Sequence, residues 1–112
     1  MSTKLIEQKC VACHKGVSHI NDNEQLLLMT QIPLWEIEVN NNIKMLERKY
    51  DFKNYKLACE FANKVAVLAE LESHHSAILL EWGLVKVTWW THAIKGLHQN
   101  DFICASKTDL LF

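Results

Sequence analysis

Apolar side chains recur three and four residues apart along one stretch of the chain, as Leu57, Ala58, Phe61, Ala62, Val65, Leu68 and Ala69. That spacing lines them up on one helical face and predicts a long amphipathic helix over about residues 54–73. Upstream, Asn21 followed by Glu24 has the form of an N-terminal capping box ahead of Leu26, Leu27, Leu28 and Ile32. It predicts a helix over 22–31, closed by Pro33. Trp35, Ile37 and Val39 then alternate with Glu36 and Glu38, the period of a strand with one buried face. Asn40, Asn41 and Asn42 supply a turn, and a second strand near 43–50 completes a hairpin. Residues 78–82 and 85–90 read as two further strands joined at Gly83 and Leu84, where glycine in the first turn position suits a type II′ turn. A last helix starts near Asp101. Helix, two strands, helix, two strands and helix predict an α+β fold, a four-stranded antiparallel sheet with helices packed on one face.

With 112 residues, the chain fits one domain. Residues 21–112 hold every predicted element, and residues 1–20 form an N-terminal extension. The hydrophobic share of 49% and charged share of 22% match an ordinary globular protein. So short a chain buries a modest fraction of its surface, which makes self-association a natural supplement. Twelve basic residues against 13 acidic ones leave no positive field for a nucleic-acid backbone, so direct nucleic-acid binding is not expected. No apolar run is long enough for a signal peptide or a membrane span. The expected location is the cytoplasm, where the four cysteines would stay free thiols.

Candidate chemistry centres on histidine. His74 and His75 leave the long helix, and His92 follows Thr91 at the end of the last strand. Residues at element ends are held by a rigid scaffold while facing a cleft, so these histidines can converge on one small molecule. An imidazole with an ordinary pKa of about 6.5 can donate or accept a proton near neutrality. Adjacent histidines at a helix end can also simply cap its last carbonyls. Glu70, one turn before His74, leaves a zinc reading open, although no HExxH pattern is present. The same carboxylate could instead orient a histidine by hydrogen bonding. Trp35, Trp82, Trp89 and Trp90 are read mainly as core, and consecutive Trp89 and Trp90 must point to opposite faces of a sheet.

Cys10, Val11, Ala12, Cys13 and His14 match the C-x-x-C-H pattern of c-type haem attachment. Haem is rejected, because such chains are exported and no export signal is seen. A zinc site from Cys10 and Cys13 with His14 or His19 has suitable ligands but lacks a second clear pair.

The run Glu70, Leu71, Glu72, Ser73, His74, His75, followed by Val85, Val87, Thr91, His92, Gly96, Leu97 and Asp101, resembles the signature of the pterin-4a-carbinolamine dehydratases. Pro33, Leu34, Trp35, the segment Tyr50, Asp51, Phe52, Lys53, Asn54, Tyr55, and the helix with Phe61, Ala62, Asn63, Lys64, Val65 are similar to that family as well. The resemblance runs from about Leu26 to Ala105 and implies the family's α+β fold. It further implies dehydration of a 4a-hydroxytetrahydropterin to quinonoid dihydropterin and water, recycling the pterin of aromatic amino-acid hydroxylases. On that reading the catalytic residues are His74, His75 and His92. His74 and His92 would move the protons, His75 would hold the pterin, and Glu70 and Asp101 would support the histidines. No cofactor or metal is called for. The partners implied are the pterin, an aromatic amino-acid hydroxylase pathway and further copies of the chain, as a homodimer or homotetramer. Ser76 and Ala77 stand where the family usually has proline and an acidic residue, and His98 where it has threonine or serine, so that Asn100 is left as the expected cap of the last helix. The family also contains binding proteins, coactivators and assembly factors on the same scaffold, which keeps a non-catalytic alternative in view.

Overall fold

The structure, a computed structural model, describes residues 4–11 and 17–112. Cys13 and His14 lie outside the described residues. A 3-10 turn, Leu5–Glu7, is followed by helix α1 (Asp22–Met29), strands β1 (Glu36–Asn40) and β2 (Ile43–Asp51), helix α2 (Tyr55–Leu71), strands β3 (Ala77–Glu81) and β4 (Leu84–Trp89), and helix α3 (Gln99–Leu111). The four strands form one antiparallel sheet in the order β1-β2-β4-β3.

The register sorts the side chains. Leu46 opposes Trp89 and Tyr50 opposes Val85, so Leu46, Tyr50, Val85, Val87 and Trp89 share the face covered by α2 and α3. All five are buried there against Ala58, Phe61, Val65, Ala69, Phe102 and Ala105. The opposite face carries Met45, Glu47, Leu79, Lys86 and Thr88. Asp109 near the end of α3 ties it to the sheet, its Oδ1 accepting from Trp35 Nε1 at 3.0 Å, Arg48 Nη1 at 2.6 Å and the Tyr50 hydroxyl at 2.5 Å. Burial and then that carboxylate push the Tyr50 pKa upward, so the hydroxyl remains a donor.

Several expectations shift in detail. The first helix ends at Met29, where the chain tightens through Gln31 N–H to Leu28 O and Ile32 N–H to Met29 O ahead of Pro33. Its Leu26 and Leu27 are 69% and 68% exposed, while Ile32, beyond the helix, enters the core. Asn41 and Asn42 take φ of 51° and 66°, the two left-handed positions of a type I′ hairpin. In the second hairpin Glu81 pairs with Leu84, so Trp82 and Gly83 form the loop rather than Gly83 and Leu84. Gly83 is needed there for proximity: its carbonyl accepts from Phe52 N at 2.8 Å, and a Cβ would sit 2.9 Å from Phe52 O. Within the N-terminal extension, Leu5 is fully buried in the core and its N–H donates to Gln31 Oε1 at 2.9 Å.

Candidate active site

Helix α2 ends in a left-handed residue. Ser73 takes φ of 50°, while Glu72 N bonds Leu68 O and His74 N bonds Ala69 O, each at 3.0 Å. This closing pattern satisfies the last carbonyls and turns the chain sharply. As a result His74 points inward, 8% exposed, and His75 points outward, 65% exposed. The His74 ring lies flat on Trp89, with centroids 5.8 Å apart and planes 4° apart. Trp89 is itself fixed by its indole N–H to Thr108 Oγ1 at 3.1 Å.

Asp101 is fully buried in the first turn of α3. A buried carboxylate requires donors, and this one has three. His74 Nε2 reaches Oδ1 at 2.6 Å, while the Thr91 hydroxyl and the His98 N–H donate to Oδ2 at 2.8 Å and 2.9 Å. Since the carboxylate accepts, His74 is held with its proton on Nε2 and presents Nδ1 at the opposite edge of the ring. The expected cap is corrected here: α3 starts at Gln99, and His98 caps it by accepting the Asn100 N–H on Nδ1 at 3.1 Å. That role requires an unprotonated Nδ1. Burial lowers the His98 pKa, with Asp101 opposing and His74 adding to the shift. The Asn100 side chain turns instead to Val11, accepting its N–H at 3.0 Å and donating to its carbonyl at 2.8 Å.

His92 opens a 3-10 turn, His92–Ile94, which is closed by the Thr91–Gly96 bridge. It is exposed, and its ring meets Trp90 at 4.3 Å between centroids. Gly96 lacks a side chain because His19 lies over it: a Cβ would stand 2.4 Å from the His19 ring, whose Nε2 bonds Ile94 O at 2.6 Å. Asp101 therefore binds the residue before His75 through one oxygen and the residue before His92 through the other. Buried anchors are thus joined, and an exposed imidazole projects next to each.

Glu70 does not orient His74. It faces His75 at 3.5 Å, with both groups exposed, a contact that solvent largely screens. Thr91 and His98 had no assigned role in the sequence, although Asp101 three residues after His98 has capping-box spacing. Ser76 Oγ, beside His75, is buried with no partner among the described residues. Of the four tryptophans, Trp35 and Trp89 are core, Trp90 packs on His92 and Trp82 is exposed. Among the described residues no cluster of three or more His, Cys, Asp or Glu is arranged to hold a metal ion. Among the same residues, no helix is long and apolar enough to cross a membrane.

The fold is similar to the crystal structure of a transcriptional coactivator/pterin dehydratase from Brucella melitensis, with a TM-score of 0.74 and 22% sequence identity over 84% of this chain and 98% of that one. The sequence profile of the pterin 4 alpha carbinolamine dehydratases matches residues 18–111, which takes in α1, the whole sheet, α2, α3 and every histidine discussed above except His14. The chain belongs to the pterin 4 alpha carbinolamine dehydratase family.

Proposed function

We propose that the protein is a hydro-lyase that converts a 4a-hydroxytetrahydropterin to quinonoid dihydropterin and water, recycling the pterin used by aromatic amino-acid hydroxylases. The observation that carries this reading is the Asp101 carboxylate gripping His74 and Thr91 at once, with His75 and His92 projecting beside them. Elimination requires a proton delivered to the leaving 4a-hydroxyl and a proton removed from the neighbouring ring nitrogen N5. It leaves the redox state unchanged, so positioned acids and bases suffice. His74 and His92 exchange those protons, His74 through Nδ1 and backed by Asp101. His75 holds the pterin, and Asp101 acts as the positioning carboxylate.

A non-catalytic binding or assembly role is the second reading, favoured by the coactivator part of the Brucella protein's name. One assay separates the two. With 4a-hydroxytetrahydropterin generated in situ, the protein should accelerate dehydration, and His74→Ala or His92→Ala should lower turnover by about two to four orders of magnitude. Chelators and the Cys10, Cys13 double replacement should leave the rate near wild type. No acceleration by the folded wild-type protein would leave binding as the surviving reading.

A further inference from the structure

The described part of the N-terminal extension is seated on α3 by a set of contacts that the proposed chemistry does not use. Cys10 N–H donates to Glu72 Oε1 at 3.2 Å, and the same oxygen accepts from Lys107 Nζ at 3.1 Å. Val11 and the Asn100 side chain exchange two hydrogen bonds, an arrangement like a single rung of backbone pairing. Asn100 and Cys104 are four apart in α3 and therefore share a helix face. The consequence is that Cys10 Sγ lies 3.4 Å from Cys104 Sγ, across 94 residues of sequence. Both thiols are free.

We propose that Cys10 and Cys104 are a reversible redox pair whose disulfide fastens the N-terminal extension to α3. The sulfurs are already close, and closing the bond asks for about 1–1.5 Å of approach. The two cysteines differ in access. Cys10 borders an open cavity of about 330 Å³ with Lys9, Val11, Leu71, Glu72 and Ser73, whereas Cys104 is buried behind it. The hydrogen bond with Cys10, then burial, pushes the Cys104 pKa up, so Cys104 keeps its proton while Cys10 meets the oxidant.

The oxidant is a small-molecule disulfide. Cys10 sulfur, as thiolate, attacks one of its sulfurs: a mixed disulfide forms, the reagent's S–S bond breaks, and the first thiolate leaves and takes up the proton Cys10 gave up. Cys104 sulfur then attacks Cys10 sulfur, the mixed disulfide breaks, and the second thiolate leaves with the Cys104 proton. Two protein thiols are oxidised by two electrons and one disulfide is reduced to two thiols. Because the new link closes a loop spanning most of the chain, it removes much of the freedom of the unfolded state.

The test uses the full chain equilibrated with glutathione disulfide, followed by alkylation of remaining thiols and mass mapping. Cys10 and Cys13 share a tryptic peptide, so the assignment is made in the Cys13→Ser variant. The expected product is an intramolecular Cys10–Cys104 crosslink, about 2 Da lighter than the reduced chain, with a higher Tm and full reversal by dithiothreitol. When Cys104→Ser is added to Cys13→Ser, Cys10 should instead stop as the glutathione adduct. The proposal is overturned if Cys13→Ser yields Cys10 as a lasting glutathione adduct with Cys104 recovered as free thiol. It is equally overturned if the wild-type chain crosslinks Cys10 to Cys13 and leaves Cys104 reduced. The Cys13→Ser result decides the matter even if Cys104→Ser fails to fold.

Discussion

His74 lies parallel to Trp89, ring planes 4° apart, while its Nε2 edge is bound to Asp101 at 2.6 Å. One face and one edge of the imidazole are therefore spoken for. The ring cannot flip without breaking the charge-assisted hydrogen bond, so the tautomer is set by the carboxylate rather than by the ligand.

The first prediction concerns that carboxylate. Asp101 serves three donors with two oxygens, whereas an asparagine offers a single acceptor atom, so Asp101→Asn cannot accept from His74 Nε2 while its oxygen still serves Thr91 and His98. If the amide faces His74, the imidazole is driven to the other tautomer. Turnover should fall about 100-fold or more, with a smaller change in KM, and the double variant with His74→Ala should be little worse than the worse single one. Steady-state kinetics on the singles and the double check it. Wild-type kcat in Asp101→Asn would refute the dyad.

The second prediction is a pH effect at the start of α3. His98 caps the helix through an unprotonated nitrogen and its pKa is lowered in the fold by burial. A depressed histidine pKa means that the unfolded chain binds the extra proton first. The contribution is thus fully present above the unfolded value of about 6.5 and is lost as pH falls through the lower folded value. Asp101 and His74 are the ionisable groups that shift it. His98→Thr keeps a capping oxygen without titrating, so its Tm should fall less than that of wild type on acidification below pH ~6.5. Parallel Tm–pH curves for the two proteins would contradict this assignment.

Third, Ser73 occupies a position suited to glycine. Its φ of 50° is costly for a residue with a Cβ, by about 1–2 kcal/mol, and glycine recovers part of that while adding freedom to the unfolded chain. Ser73→Gly should stabilise the fold by about 0.5–1 kcal/mol, and Ser73→Val should destabilise it by about 1 kcal/mol or more. Denaturant midpoints measure both. A lower midpoint in the glycine variant would show that the turn into His74 does not depend on that conformation.

Fourth, the outward side of α2 should be covered by further copies of the chain. Val67 and Leu71, one turn apart, are 59% and 77% exposed and line an apolar cavity of about 360 Å³ with Leu68 and Leu111. Light scattering at micromolar concentration should give a dimer or tetramer mass. Glutamate at both positions should lower it, and a monomeric wild-type mass would count against self-association.

Much of the architecture was legible because it rests on local pattern. The stripe from Leu57 to Ala69 defines α2 within two residues at each end, and the Asn41, Asn42 turn fixes the first hairpin. The grouping of His74 with Asp101 was approachable because both lie at element ends, yet the bridging role of Thr91 and the cap at His98 depend on which side chains α3 brings to the sheet. Leu26 and Leu27 misled because the side of α1 that packs on the core is carried by Leu28 and Met29, with Ile32 beyond the helix, which leaves the two preceding leucines facing outward. Leu5 and Cys10 could not be placed at all. Their contacts with Gln31 and Cys104 span 26 and 94 residues, and no periodicity of the chain encodes a pairing of that range.

Because the carboxylate that steadies His74 is also the one that receives the His98 N–H at the head of α3, the placement of His74 and the integrity of that helix start are inseparable. On the proposed mechanism, heating that frays the first turn of α3 should disarm His74 before the sheet comes apart, so inactivation should precede global melting. On the same mechanism a substitution at Asp101 should lower turnover and stability together rather than exchange one for the other.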